Sequence, residues 1–290
     1  MNTPHSDPLG SGWMIIAAAV FALMGALVKK AGSDFGFGFN ELVFWRTAFG
    51  LLVLGGLALW QKKDFRTPHW RAHIGRGVAG TLGLLLFFYA ISRLPLATAV
   101  TLNYTSSLFL ALLSFLFLKE RIAANMLAGL FVGFIGIIIL LRPTFAAGQE
   151  LAGLIGLSAG LAAGWAYLQV RELSLLGEPG WRVVFYFCLV ATVISGLLAS
   201  LEGWHAPSTD SLPYLLGIGL TATVAQLCLT RAYRVGRKFT VASLSYLTVV
   251  FSTLLGIGWL GDDIGGQEIL GMLVIVVAGL IGSLNRRPAT

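Results

Sequence analysis

Apolar runs of about 20 residues recur along the entire chain, the length a helix needs to cross the hydrocarbon core of a bilayer. Ten can be marked, at 12–29, 40–60, 74–92, 96–118, 124–141, 151–171, 181–201, 212–232, 239–260 and 267–285. Their separators carry Pro, Gly and charge, as in Lys62-Lys63-Asp64-Phe65-Arg66-Thr67-Pro68, Arg142-Pro143 and Asp262-Asp263. Lipid offers no hydrogen bonds to a peptide group, so each run must satisfy its own backbone as a helix. The expected fold class is an all-α membrane protein with ten transmembrane helices and no extramembrane domain. Composition agrees. Charged residues make up 11% of the 290, whereas a soluble domain carries about 25%.

Met1 to Gly12 hold no Lys or Arg, so the first run is expected to be a retained helix rather than a removable signal peptide. The formal charge is +7. In so apolar a chain that excess sets topology and does not point to nucleic acid. Fifteen basic residues fall in alternate loops, among them Lys62, Lys63, Arg66, Arg71, Arg76, Lys119, Arg121, Arg171, Arg182 and Arg231. Four fall in the others, Lys29, Lys30, Arg93 and Arg142. The positive-inside rule then puts both termini in the cytoplasm of a multi-pass protein of the bacterial inner membrane. Cys188 and Cys228 lie inside apolar runs with no CxxC or Cys/His spacing. Neither a metal site, a disulfide framework nor a cofactor is expected.

The chain resembles itself. A shift of 142 positions brings ten identities into line, including Leu102 with Leu244, Tyr104 with Tyr246, Phe109 with Phe251, Ile122 with Ile264 and Gly129 with Gly271. Glu120 also meets Asp262, and a shift of 141 pairs Val43-Phe44-Trp45 with Val184-Phe185-Tyr186. Each copy holds five helices. Five is odd, so the second copy is inverted relative to the first. Inverted repeats characterise secondary transporters, whose site lies between the repeats near the midplane.

Thr98 to Pro143 reads TAVTLNYTSSLFLALLSFLFLKERIAANMLAGLFVGFIGIIILLRP. It resembles the EamA repeat of the drug/metabolite transporter superfamily, with an acid after the fourth helix (Glu120) and a Gly-rich fifth helix (Gly129, Gly133, Gly136). The second copy ends similarly, at Leu260 to Pro288. The resemblance covers essentially the whole chain and implies two inverted five-helix EamA repeats, residues 12–143 and 151–288. It implies an exporter or facilitator of amino-acid-like metabolites. Opine-type metallophores and vitamin- or nucleotide-like compounds are the alternative cargoes. The family often carries Pro in the middle of its fourth helix. Here that region reads Tyr104-Thr105-Ser106-Ser107, and its counterpart Tyr246-Leu247-Thr248-Val249, so neither copy has a proline to break the helix.

Polar residues inside the runs are few and therefore informative. On a helical net Asn103, Ser107 and Ser114 share one stripe of the fourth run, and Ser245, Thr248 and Ser252 share one of the ninth. Asn103 and Ser245 are repeat equivalents, which suggests two facing walls of one cavity. Such residues also commonly bond neighbouring helices together. Candidate aromatic walls are Phe21, Tyr89, Tyr104, Trp165, Tyr167 and Tyr246, with Trp165 preferred because it lies deep in its run. Packing against lipid or a helix explains it equally well. Trp13, Trp60, Trp181 and Trp259 sit at run ends as interfacial anchors. Gln226 stands mid-span in an apolar run and is a stronger candidate than Gln169. Arg46 can bind a carboxylate or close a gate, but pairing with Glu41 or snorkelling to headgroups is the favoured reading. Gly129, Gly133, Gly136, Gly271, Gly279 and Gly282 read as close-packing positions of the fifth and tenth runs, within a monomer or at a homodimer contact.

No Asp, Glu or His lies near the middle of any run, where a proton-coupled carrier places its relay. Facilitated diffusion, or coupling through the solute's own protonation, is the expected energetics. The same absence disfavours an intramembrane enzyme, since His5, His69, His73 and His205 all read as lying outside the spans. A channel would need a charged or carbonyl-rich filter, and no such motif is present.

Overall fold

The computed structural model describes residues 7–94, 96–120, 122–141, 148–260 and 265–283. Arg121, Arg142-Pro143, Asp262-Asp263, Ile264 and the C-terminal end of the second copy lie outside them, as does the packing of Gly279 and Gly282. Among the described residues every regular element is helical. The helices are α1 (Trp13–Phe35), α2 (Phe39–Trp60), α3 (Trp70–Arg93), α4 (Leu96–Tyr104), α5 (Ser106–Leu118) and α6 (Ala124–Leu141). They continue as α7 (Glu150–Leu175), α8 (Gly180–Glu202), α9 (Leu212–Val235), α10 (Lys238–Leu244), α11 (Leu247–Leu255) and α12 (Gly266–Ser283). Eight helical stretches are long and apolar enough to cross a membrane, with α4–α5 joined as Ala99–Leu118 and α10–α11 as Lys238–Trp259. α12 contains a shorter apolar stretch, Ile269–Ala278. α3 is not among the eight.

α3 starts earlier than its apolar run. His73, read from sequence as lying outside the spans, and Arg76, counted with the loop charges although it falls inside the 74–92 run, both belong to the helix and are 0% and 3% exposed. The helix extends through them because each finds company. His73 Nε2 lies 3.2 Å from Glu178 Oε2, and the Arg76 guanidinium lies 4.4 Å from the Phe187 ring centre.

The fourth and ninth runs are interrupted without proline. Thr105 N bonds to Leu102 O at 3.2 Å, a contact three residues back, and its hydroxyl also takes that carbonyl at 2.5 Å. In the ninth run Tyr246 N bonds to Ser243 O, Thr248 N to Ser245 O and Val249 N to Tyr246 O, each again three residues back. Ser245 Oγ donates to Ala242 O at 2.7 Å. These are tightened 3₁₀-type turns in which hydroxyls serve carbonyls that the regular ladder releases.

Helix contacts follow a twofold pattern. α1 packs on α9 and α11, α2 on α8 and α9, α3 on α7 and α8, α5 on α7, and α6 on α12. The set is unchanged when α1, α2, α3, α4–α5 and α6 are exchanged for α7, α8, α9, α10–α11 and α12. The α2–α8 pair is antiparallel: Glu41, at the start of α2, meets His205, just beyond the end of α8. Thr67, beyond the end of α2, meets Glu178, just before α8.

The α6–α12 pair is also antiparallel. A Cβ on Gly136 would stand 2.8 Å from Ile275 Cγ1 and 3.1 Å from Gly271 O, and one on Gly271 would stand 2.7 Å from Leu140 N. A Cβ on Gly133 would stand 2.5 Å from the Tyr246 ring. Lipid tails are as apolar as the helices, so this close backbone approach, not water exclusion, holds the pair. Gly136→Ala is accordingly expected to destabilise the protein by about 1–3 kcal/mol, since the obstructing atoms are partly backbone. At Gly56 a Cβ meets nothing within 4 Å, so Gly56→Ala should leave stability unchanged. Thermal midpoints of the two purified variants in detergent check this.

Candidate functional site

A cavity of about 300 Å³ lies among α1, α2, α3, α4–α5, α7, α8, α9 and α10–α11. Every one of these elements contributes a lining residue, and the exchange that relates the contacts maps this set onto itself. The wall is apolar around Met14, Phe21, Met24, Leu84, Phe87 and Phe187. It is polar but uncharged around Asn103, Tyr104, Gln226, Ser245, Thr248 and Ser252. Two guanidinium groups, Arg46 and Arg76, complete it, and among the described residues the lining includes no Asp, Glu or His.

Nine residues picked out from sequence meet here: Phe21, Arg46, Asn103, Tyr104, Tyr167, Gln226, Ser245, Thr248 and Ser252. The ninth-run stripe is realised whole, with Ser245, Thr248 and Ser252 all on the wall. The fourth-run stripe is not. The tightened turn at Thr105 removes Asn103 from register with the residues after it. Asn103 faces the cavity, whereas Ser107 donates to Ala242 O at 3.0 Å and Ser114 to Leu110 O at 2.7 Å. Ser107 is thus a bond between the two interrupted helices, and its hydroxyl also lies 3.5 Å from that of Ser245. Tyr246 is fully buried, with its ring 6.0 Å from that of Tyr104 in an edge-on pair. The two repeat-equivalent tyrosines therefore meet each other, and only Tyr104 reaches the cavity.

Trp165 lies outside the lining and packs on Phe117, ring centres 5.2 Å apart. The α7 residues on the wall are Ala163, Ala166 and Tyr167. Two residues along a helix is about 200° of rotation, so Tyr167 points nearly opposite to Trp165. Tyr89 is 37% exposed with the Arg93 guanidinium 5.9 Å from its ring, also away from the cavity.

Arg46 departs from its favoured reading. Glu41 is occupied elsewhere: it accepts from Gly38 N at 2.9 Å, from His205 N at 2.5 Å and sits 2.7 Å from His205 Nδ1. Arg46 instead lines the cavity. Arg76 beside it was missed because it was counted as a loop residue. The available signal was its position only two residues after Ile74, where the third apolar run begins.

Both ends of the α2–α8 pair are tied by a carboxylate. At one end Glu41 is 2% exposed and engages His205, as given above. At the other Glu178 is 4% exposed. It accepts from Thr67 Oγ1 and from Arg182 Nη1 at 2.9 Å, with His73 beside it. Arg182 Nη2 continues to Asp64 O at 2.6 Å, and Tyr186 Oη to Phe65 O at 3.1 Å. A wider recess of about 850 Å³ opens at helix ends around Trp13, Trp181 and Arg231. Its acid, Asp7, is already held by Arg231 and Trp13.

Comparison with known proteins bears on what such a cavity serves. The family model described as EamA-like transporter family matches residues 8–142 and again 151–284. The chain belongs to the EamA-like transporter family. It is 32% identical to a pseudopaline exporter of Pseudomonas aeruginosa over 97% of this chain and 99% of that one. It is 28% identical to a riboflavin transporter of Vibrio cholerae over 96% and 94% of the two chains. A solved crystal structure at 20% identity superposes with a TM-score of 0.84, covering 95% of this chain and 97% of that one, and shows the same fold. The protein is a multi-pass membrane transporter of this family, embedded in the bilayer and acting on a small molecule.

Burial raises the Glu178 carboxyl, but the hydrogen bonds from Thr67, Arg182 and His73 outweigh it and hold the group below its usual value of 4.5. The ionised form is therefore the better bound in the folded protein. Its contribution is complete above the usual carboxylate value and disappears as pH falls through the lowered one. Glu178→Gln should thus melt earlier than the native protein at neutral pH. That difference should shrink as the buffer is taken below about pH 4.5, where carboxylates of ordinary pKa protonate. Melting curves of both proteins across an acid series provide the check.

Proposed function

We propose that the protein is a secondary transporter that moves a small polar or amphipathic, amino-acid-like metabolite across the bacterial cytoplasmic membrane by alternating access. It acts as an exporter or facilitator and not as an enzyme. The observation that carries this reading is the central cavity, lined by elements related by exchange of the two halves. In the proposed arrangement α3 and α12 join the eight apolar spans to make ten. Residues 12–143 and 151–288 form two inverted five-helix repeats, with both termini in the cytoplasm. The antiparallel α2–α8 and α6–α12 pairs support the inversion. The cavity is complete within one chain, so one chain is the transport unit, as a monomer or within a homodimer.

The carboxylate ties at the two ends of α2–α8 supply the alternation. Releasing the Glu178 group or the Glu41 group in turn would open one end while the other holds. The wall contains no group that titrates near neutrality, which supports facilitated diffusion or coupling through the solute's own protonation. Similarity to a pseudopaline exporter and to a riboflavin transporter supports an opine-type metallophore or a vitamin as the alternative cargo.

Flux into proteoliposomes, measured with a panel of amino acids, dicarboxylates and riboflavin, tests the reading. The expected outcome is saturable flux of at least one solute at a rate unchanged by an imposed pH gradient when that solute does not itself ionise. Non-saturating flux for every solute would indicate a channel, and proton-driven accumulation of a non-ionising solute would refute the energetics. Asn103→Ala should lower flux about tenfold, the order of one lost solute hydrogen bond. Ser114→Ala, which alters a hydroxyl bonded only within its own helix, should transport normally.

A further inference from the structure

The cavity holds two positive charges and no negative one. Arg76 is 3% exposed, and its Nε and Nη1 have no hydrogen-bond partner. Its guanidinium rests on the Phe187 ring, a neutral surface. A Cβ on Gly80, one turn along α3, would stand 2.2 Å from Arg76 Nη1, so the missing side chain there is what lets the guanidinium lie along the helix into the cavity. Arg46 reaches the same space from α2. Among the described residues the buried carboxylates, Glu41 and Glu178, are engaged at the helix ends, and neither pairs with these arginines.

Arginine cannot escape burial by shedding its proton. An unpaired guanidinium in a low-dielectric site is unfavourable, and a second one nearby adds repulsion. The protein nevertheless keeps both, with free donors on Arg76. The countercharge must then arrive with the solute. A guanidinium fork matches the two oxygens of a carboxylate. The rest of the wall carries amide and hydroxyl groups but nothing anionic to hold an ammonium. The charged side is also one-sided in sequence. The shift of 141 that aligns the second and seventh runs sets Arg46 opposite Phe187, so the second half answers the guanidinium with a ring.

We propose that Arg46 and Arg76 form a paired guanidinium site for a small metabolite bearing two carboxylates. The inference rests on reading this cavity as the transport site, and it narrows the cargo from amino-acid-like solutes to dianions.

The test uses the full chain purified in detergent, with ligand-induced thermal stabilisation titrated for each probe. Succinate, glutarate and adipate form the dicarboxylate series. Propionate, putrescine and glycerol 3-phosphate are the monoanion, dication and phosphate controls. At least one dicarboxylate should stabilise the native protein, with propionate about tenfold weaker and putrescine inert, as expected for loss of one charge-assisted pair. Arg46→Gln and Arg76→Gln should each weaken that dicarboxylate about tenfold or more, with Arg76→Lys in between. Ligand-free Arg76→Gln should melt no lower than the native protein, because it removes an unpaired buried charge; a purely structural arginine would give the opposite. Should Arg76→Gln fail to fold, that structural outcome counts against the proposal.

Equal dicarboxylate binding in the glutamine variants, binding of glycerol 3-phosphate alone, or no response to any dicarboxylate would overturn the site. Proteoliposome flux separates this from the transport reading. Saturable flux of a neutral solute without dicarboxylate binding leaves the carrier and removes the anion site. Dicarboxylate binding that Arg46 and Arg76 control, without flux of any solute, leaves the site and removes the carrier.

Discussion

Each peptide group at membrane depth must find its partner inside the chain, and two helices that line the cavity meet that demand while being interrupted. At Thr105 and at Ser245-Tyr246 the ladder tightens to contacts three residues back. The exposed carbonyls are taken up locally, by Thr105 on Leu102 and by Ser245 and Ser107 on Ala242. Much of the site depends on those few hydroxyls. The turn at Thr105 separates Asn103, which faces the cavity, from Ser107, which binds the opposite helix. The turn at Ser245 lets one hydroxyl both serve the backbone and border the cavity. Tyr104 and Tyr246 then meet edge-on between the two turns. A glycine on α7 makes room for the first turn: a Cβ on Gly160 would stand 2.2 Å from Thr105 Oγ1 and 2.8 Å from Leu102 O.

Charge is distributed to match. At the ends of the α2–α8 pair, Glu41 and Glu178 are buried but fully engaged, by His205 and Gly38 at one end and by Thr67, Arg182 and His73 at the other. Burying a carboxylate is tolerable when several donors converge on it. In the middle the opposite holds: Arg46 and Arg76 line the cavity with no carboxylate among its described lining residues, and Nε and Nη1 of Arg76 are unfilled. The ends are thus built as closed contacts and the middle as an open one. The α2–α8 pair is tied by carboxylates at its tips and, between them, by the Thr192 hydroxyl bonded to that of Thr47 at 3.0 Å, so one tip can part while the central contacts persist.

Much of this was legible in sequence, for a physical reason. Lipid demands long apolar helices, so the runs announce themselves, and the internal repeat has its counterpart in helix contacts that are unchanged by exchange of the two halves. Phe21, Asn103, Tyr104, Gln226 and Ser245, which line the cavity, stand out in sequence because a polar or aromatic group in an apolar helix has few reasons to be there. What stayed hidden depended on rotation and register. Trp165 and Tyr167 are two residues apart in one helix, and hydropathy alone cannot say which faces inward. Ser107 was assigned to the cavity stripe by assuming an unbroken helix, and a hydroxyl-supported turn leaves no mark as plain as a proline. Arg76 was hidden because a charged residue near an apolar boundary looks like the loop before it. The contacts of His73 with Glu178, 105 positions away in sequence, and of Arg76 with Phe187 carry α3 back through those residues. Arg46 was drawn toward Glu41 by sequence proximity, although that acid had a partner from the far half of the chain.

The composition of the wall also bears on how transport can be driven. A carrier couples to protons when a group in its cavity changes charge between the two orientations. Here, among the described residues, the ionised groups on the wall are the guanidinium groups of Arg46 and Arg76, which remain charged across the physiological range. Their charge cannot be the variable that alternates. In the proposed site the quantity that changes is the solute's own ionisation, since a protonated carboxyl would leave one guanidinium uncompensated. Protons would then act by selecting which ionic form of the solute occupies the cavity. Directionality would follow from the concentrations of that form on the two sides, with no relay residue required of the protein.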